Sequence, residues 1–377
     1  MPTHTYCLAI LTWWVLSLAC PIPGHADEPS DAARVEEAIA AGLLFLHRHQ
    51  DAEGGWRVLT APLACPLDGP KIAPAQEYAD FRADVVVTAI ALRCFLRAGV
   101  DRNHQVYGRT LSRAADWFFE QGPQVVSQKH LFIISAWLET AAMLEGRVPE
   151  SQIDASMRQI QDKIVRDPKS GQALGWFYEL TPARMVDLPA TAWTLRALQA
   201  WPNHAIAKSL LEELSQAPDY LWYPEADLQG MPHRISIRDD QLVRFPQRSE
   251  GYGLSLMRSL GVTTDEPRLL TLRNGVLDAA DWVVPKFRID EEGRFSPFAM
   301  HSTVHGLAAH RDAPQLTAWA QRLRKAILSS QRRTDGCPHG SWGVDPLLPF
   351  RGSGIGDLLS TVLVLETLQS IADWEIP

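Results

Sequence analysis

The chain has 377 residues, 46% of them apolar and 21% charged, a composition that fits a globular protein with a sizeable core and excludes a disordered or fibrous one. A formal net charge of −8 argues against nucleic acid as a partner, because phosphate backbones want a basic face.

Residues 8–19 form an apolar run too short to span a bilayer. Pro21 and Pro23 break it, and Gly24-His25-Ala26 places small residues just before Asp27. We read residues 1–26 as a cleaved export signal, although the leading segment holds His4 and neither Lys nor Arg. Residues 27–377 are then one domain, expected in the periplasm or outside the cell, and no later run is apolar enough to be a membrane span.

Helical periodicity dominates the remainder. Six pairs emerge, each an outer helix, a connection and an inner helix: about 31–49 with 84–97, 108–121 with 130–145, 151–165 with 188–200, 204–215 with 249–260, 267–286 with 298–309, and 314–331 with 357–372. Ser30 or Asp31 opens the first as N-cap, and Gly261 closes the fourth. The second helix of each pair is the more apolar. Val85 to Leu92 has almost no polar face, so that helix is expected to be buried on both sides. Strand-like alternation occurs in one loop, Arg234–Arg238 and Gln241–Phe245 around Asp239-Asp240, which could lie over a mouth as a lid. Six antiparallel helical hairpins with buried second helices predict an all-α (α/α)6 toroid of two concentric rings. The long connections, 50–83, 166–187, 216–248 and 332–356, then share one face, where function is expected.

Ring closure would also make neighbours of the first and sixth long loops. That predicts a Cys65–Cys337 disulfide, with Cys94 a buried thiol in the first inner helix.

The organising motif is Ala41-Gly42-Leu43-Leu44-Phe45-Leu46, then Gln50 and Gly54-Gly55-Trp56. Its ending recurs as Gly175-Trp176-Phe177, as Gly293-Arg294-Phe295, and as Gln331 with Gly340-Ser341-Trp342. An inner helix follows each, with a threonine and, four residues on, a leucine: Thr88/Leu92, Thr191/Leu195, Thr303/Leu307 and Thr361/Leu365. Repetition of such a unit means a repeat architecture, its turns plugged by indole rings.

The first repeat resembles the QW repeat of squalene and oxidosqualene cyclases, and the layout looks like the terpenoid cyclase and protein prenyltransferase α/α-toroid superfamily. That resemblance implies the toroid and an isoprenoid ligand. The superfamily's chemistry does not carry over. Where a cyclase has Asp-x-Asp-Asp, Asp187-Leu188-Pro189-Ala190 has one aspartate, and Asp239-Asp240 lies in the lid loop. The zinc-binding Asp-x-Cys of prenyltransferases has no counterpart at the helix start Asp357-Leu358-Leu359. No metal and no cofactor are therefore expected.

Asp84, Asp187 and Asp357 each stand four residues before a repeat threonine, while the fifth pair has Ala299 there and adds His301 and His305. In a closed ring these positions point to one end of the hollow, where crowded carboxylates and imidazoles could do acid–base work. The alternative is that each Asp caps its helix. His301 and His305, one turn apart, share a face and could be metal ligands, but no Glu follows His301 as in H-E-x-x-H, so packing is the better reading. Tyr78, Asp80, Arg82, His130, Arg248, Glu250 and Tyr252 are candidate binding residues around the mouth.

Two functions are consistent with this. One is an enzyme acting on an elongated ligand, an isoprenoid or a uronate-type polysaccharide. The other is a non-catalytic module that binds lipid, peptide or glycan.

Overall fold

The structure is a computed structural model that describes residues 30–60, 67, 83–125, 130–144, 146–178, 184–216, 234–244, 250–263, 265–277, 297–310, 314–342, 356–372 and 374. Among them run twelve α-helices: α1 Asp31–His49, α2 Ala83–Arg97, α3 Gly108–Val125, α4 Leu131–Met143, α5 Glu150–Asp162, α6 Leu188–Gln199, α7 Ala205–Ser215, α8 Glu250–Ser259, α9 Pro267–Leu277, α10 Pro297–Leu307, α11 Pro314–Ser330 and α12 Gly356–Ala372. The even-numbered helices pack in the cyclic order α2, α4, α6, α8, α10, α12 and back to α2, while α11 and α12 both lie against α1. This is the closed (α/α)6 toroid. The export segment, Cys65, Gly293-Arg294-Phe295, Tyr78, Asp80, Arg82 and Arg248 lie outside the described residues, as does the pairing of Cys65 with Cys337.

Burial explains the inner ring. Every residue of α6 from Leu188 to Leu198 is buried, as is every residue of α12 from Gly356 to Gln369. Helices with no polar face find shelter only between a second ring and a filled centre.

The first, third and sixth hairpins are each locked by a turn tryptophan. The indole nitrogens of Trp56, Trp176 and Trp342 donate to the carbonyls of Leu46, Ile160 and Ile327 at 2.7, 2.8 and 2.8 Å. Those carbonyls belong to the last turns of α1, α5 and α11, where an α-helix leaves acceptors unmet. The backbone N–H of each tryptophan donates to the repeat threonine of the inner helix, Thr88, Thr191 or Thr361, at 3.0, 3.0 and 3.1 Å. All three rings are fully buried, which stabilises each turn by roughly 4–6 kcal/mol of apolar transfer. They are structural plugs.

The glutamines carry the turns sideways. Gln50 donates to the Thr110 carbonyl of α3 at 2.9 Å, and Gln331 donates to the Ala38 carbonyl of α1 at 2.8 Å. The last turn thus holds the first helix as the first turn holds the next. Gly340 (φ +88°) makes the approach possible, since a Cβ there would stand 2.2 Å from the Ala41 carbonyl oxygen.

Short strands decorate the long-loop face. Strands β1 (Val165–Arg166) and β2 (Ala173–Gly175) pair antiparallel; β3 (Met185–Asp187), β4 (Arg234–Arg238) and β5 (Gln241–Arg244) form an antiparallel sheet in that order. The β4–β5 hairpin is the one read from sequence, turning through Asp239 (φ 49°) and Asp240 (φ 56°) as a two-residue type I′ loop requires. Strands β1, β2 and β3 were not expected. At two or three residues they are too short for alternation to register, and the third outer helix accordingly ends at Asp162 rather than 165.

A Gly340→Ala variant is expected to lose about 2–4 kcal/mol in urea unfolding, because left-handed strain adds to a clash with rigid backbone. Gly171→Ala, with φ +73° but open space around its Cβ, serves as control at about 1 kcal/mol. Equal losses at the two sites would contradict the seam packing.

Candidate functional site

Each predicted aspartate is engaged at its own helix start. Asp84, in the first turn of α2, accepts from the Val58 N–H at 2.8 Å and borders a rim groove with Asp51, Glu53 and Arg57. Asp187 caps α6 by accepting from the Ala190 N–H at 3.1 Å, and its other oxygen lies 3.3 Å from Nη2 of Arg234 on β4. The buried Asp357 accepts from Arg332 Nη1 at 2.8 Å. The capping alternative therefore describes Asp187 directly, while Asp84 holds the segment after its turn and Asp357 holds the arginine that opens its turn. None of the three is hydrogen-bonded to another in the contacts resolved among the described residues.

Nine residues beyond positions 84, 130, 187 and 357 stand Arg93, Glu139, Arg196 and Glu366. At 1.5 Å per residue that is about 13.5 Å further along the inner helices. These four and His301 form a closed circuit across the hollow. Arg93 grips Glu366 with two bonds, Nε to Oε1 at 2.7 Å and Nη2 to Oε2 at 2.9 Å. Its Nη1 lies 3.4 Å from Glu139 and donates to Thr140 at 3.2 Å. Glu139 accepts from Arg196 at 2.5 Å, and Arg196 Nη1 stands 3.0 Å from His301 Nδ1. His301 Nε2 returns to Glu366 at 2.8 Å. A guanidinium can only donate, so Nδ1 of His301 is the acceptor and Nε2 carries the proton given to Glu366. One tautomer is thereby fixed, and the circuit of two arginines, two glutamates and a neutral imidazole has no net charge.

Electrostatics agree with that assignment. Burial opposes the charged form of Glu366, but Arg93 and Arg97 outweigh it and hold its carboxyl well below the usual range. Glu139 is likewise lowered, against burial, by Arg196 and Arg93. Burial and Arg196 push His301 down. Burial, Arg196 and Arg258 push His305 further down. His305 does not join His301 at a metal: its Nδ1 is 2.9 Å from Ser255 Oγ, and both nitrogens of His301 are occupied. Among the described residues no group of three or more His, Cys, Asp or Glu side chains is placed to hold an ion.

Toward the long-loop face the circuit is roofed by aromatic rings. Trp193 is buried with its centroid 5.4 Å from that of His301, and the half-buried Phe132 and Phe298 pack on it at 5.7 and 5.8 Å. Phe132 and Phe298 are the second residues of α4 and α10, so they stand at the mouth. His130, one step before α4, is half-buried there too; Tyr252 is buried in α8. Glu250 opens α8. Cys94 is a buried thiol whose pKa burial raises, and Cys337 is buried with its sulfur 3.1 Å from His49 Nε2.

The sequence reading passed over Arg93, Glu139, Arg196 and Glu366. The signal available was a charge nine residues beyond positions 84, 130, 187 and 357, within the apolar run of four inner helices.

No protein-family model and no curated protein matches the chain. Solved structures do. An inactive variant of the GH76A α-1,6-mannanase of Salegentibacter sp. HEL1_6, in complex with α-1,6-mannotetrose, superposes with a TM-score of 0.57 at 10% identity, over 92% of this chain and 100% of that one. Unsaturated glucuronyl hydrolase from Bacillus sp. GL1 gives 0.56 at 14% identity, over 89% and 96%. The type II terpene cyclase MstE from Scytonema gives 0.51 at 15%, over 91% and 98%. At such identities the likeness is one of fold.

Glu366→Gln should cost about 3–5 kcal/mol in urea unfolding at pH 7.5, because it strands the buried Arg93. With His301 and His305 held below their ordinary 6.5, the unfolded chain binds more protons as pH drops under that value, and stability falls. The lowered glutamates add stability that is complete above their ordinary 4.5 and lost below it, so the two effects run the same way. His301→Gln should flatten the decline between about pH 6.5 and 5, and an unchanged slope would contradict the neutral imidazole.

Proposed function

We propose that this protein binds an elongated ligand of the oligosaccharide class at the mouth of the ring, on the face of the long connections. The observation that carries the reading is the aromatic floor, in which half-buried Phe132 and Phe298 rest on Trp193 above a charged circuit. Flat rings take the C–H faces of sugars, and Asp187 with Arg234 stands on the same face to meet hydroxyls. A long isoprenoid would need an apolar shaft, whereas here four formal charges cross the hollow. Two of the three solved neighbours act on or hold carbohydrate, by the names they carry, and this supports the same class. The export expected from residues 1–26 supports the same class, since polysaccharides are met outside the cytoplasm.

Within this reading the acid–base role falls to Asp187, Asp84 and Asp357 at the helix starts. A second reading, binding without turnover, draws support from the contacts that already engage each of those carboxylates.

Isothermal titration against a panel of neutral and uronate-containing oligosaccharides tests the proposal. Saturable binding that weakens about tenfold in Phe132→Ala/Phe298→Ala is expected, at about 1–3 kcal/mol for lost stacking contacts. Failure to retain any oligosaccharide, or equal binding by the double variant, would overturn it. Release of new reducing ends by the parent, lost in Asp187→Asn, selects the enzyme over the binding module.

A further inference from the structure

A second site lies on the outer ring, away from the mouth, and does not depend on the preceding reading. Residues 314–334, comprising α11 and the start of its turn, contain Arg322, Arg324, Lys325, Arg332 and Arg333 and no Asp or Glu, in a chain whose net charge is −8. Three of those cations face the first outer helix. Arg34 of α1 joins Arg322, Arg324 and Lys325 around a groove of about 420 Å³ at the seam where the ring closes, floored in part by Leu328. Asp31 is the one carboxylate in the lining, and it lies 3.7 Å from Arg34.

The four cations differ in how they are held. Arg34 and Lys325 are exposed, so their heads can swing to a ligand, and Arg322 is exposed beside them. Arg324 is half-buried: Nη2 donates to the Ile371 carbonyl near the end of α12 at 3.0 Å, and its buried Nε has no hydrogen-bond partner among the described residues. Burial lowers its pKa, with Asp31 acting the other way. A guanidinium fixed at one end and ringed by exposed cations is built for an anion with several oxygens. A carboxylate offers two oxygens and one charge against the excess of Arg34, Arg324 and Lys325 over Asp31. A phosphate group offers more of both. The groove also opens at the N-terminal turn of α1, whose helix dipole favours negative charge.

We propose that the α1–α11 groove is a phosphate-binding site, in which Arg324 is the anchor and Arg34 and Lys325 close on the anion. The phosphate arrives either as the inorganic ion or as the headgroup of a phosphate ester. Calorimetric titration of the full mature chain with inorganic phosphate should give saturable binding that weakens as salt is raised. Arg34→Gln/Lys325→Gln removes exposed side chains only. It should unfold at the parent's midpoint and bind phosphate at least about tenfold more weakly, because two charge-assisted contacts are lost. Sedimentation with phosphatidylglycerol or phosphatidylcholine vesicles separates the sources. Pelleting with the former, competed by inorganic phosphate, identifies a lipid headgroup, and phosphate binding without pelleting identifies a soluble one. Absence of saturable phosphate binding by the parent, or equal affinity in the folded double variant, would overturn the proposal. Should that variant fail to fold, Lys325→Gln alone provides the same comparison.

Discussion

Gln331 donates to the Ala38 carbonyl across 293 residues of sequence, and everything else about this molecule follows from that meeting of chain end and chain start. Gly340 lies against the backbone of Ala41, and a Cβ on Gly42 would sit 3.0 Å from the Trp342 ring. On the inner ring Arg93 and Glu366 make the same junction between α2 and α12. A row of helical hairpins buries its inner helices on two sides only. Closing the row supplies the rest and removes both exposed ends.

The charged circuit makes closure specific. Charges with no exposure are tolerated when paired and hydrogen-bonded, and stranding one costs about 3–5 kcal/mol. Arg93 and Glu366 sit on helices that are neighbours only in the ring, so an open superhelix would leave that pair apart. The circuit also divides the hollow by depth. Carboxylates that the repeat places at the helix starts belong to the rim, and the arginines and glutamates nine residues on, with His301 bonded between them, belong to the interior some two and a half turns below. A single acid–base cluster combining the two is not what the contacts join together. A mouth with an aromatic floor and a closed base is.

How much of this could be read beforehand depended on how each feature is encoded. The toroid was legible because α2 and α12 are largely apolar, and because a glycine–tryptophan turn followed by an inner-helix threonine with a leucine four residues on recurs along the chain for local hydrogen-bonding reasons. The β4–β5 turn was legible from Asp239-Asp240. The site was less so. Asp84, Asp187 and Asp357 share a repeat position because each serves a hairpin, so their periodicity spoke of architecture as much as of chemistry. Arg93 and Glu366 find each other only through closure, and no local window contains that relation. Phe132 and Phe298 differ from other core phenylalanines only in lying one residue from a helix start, which needs helix boundaries finer than periodicity supplies.

Closure is tested most directly at the exposed pair of Glu37 on α1 and Arg333 after α11, whose side chains approach to 3.9 Å. In an R333K variant treated with carbodiimide, the expected result is an amide between the side chains at positions 37 and 333, found by mass spectrometry in the monomer fraction. Absence of that peptide from the monomer, with cross-links confined to neighbouring hairpins, would mean the ring is open.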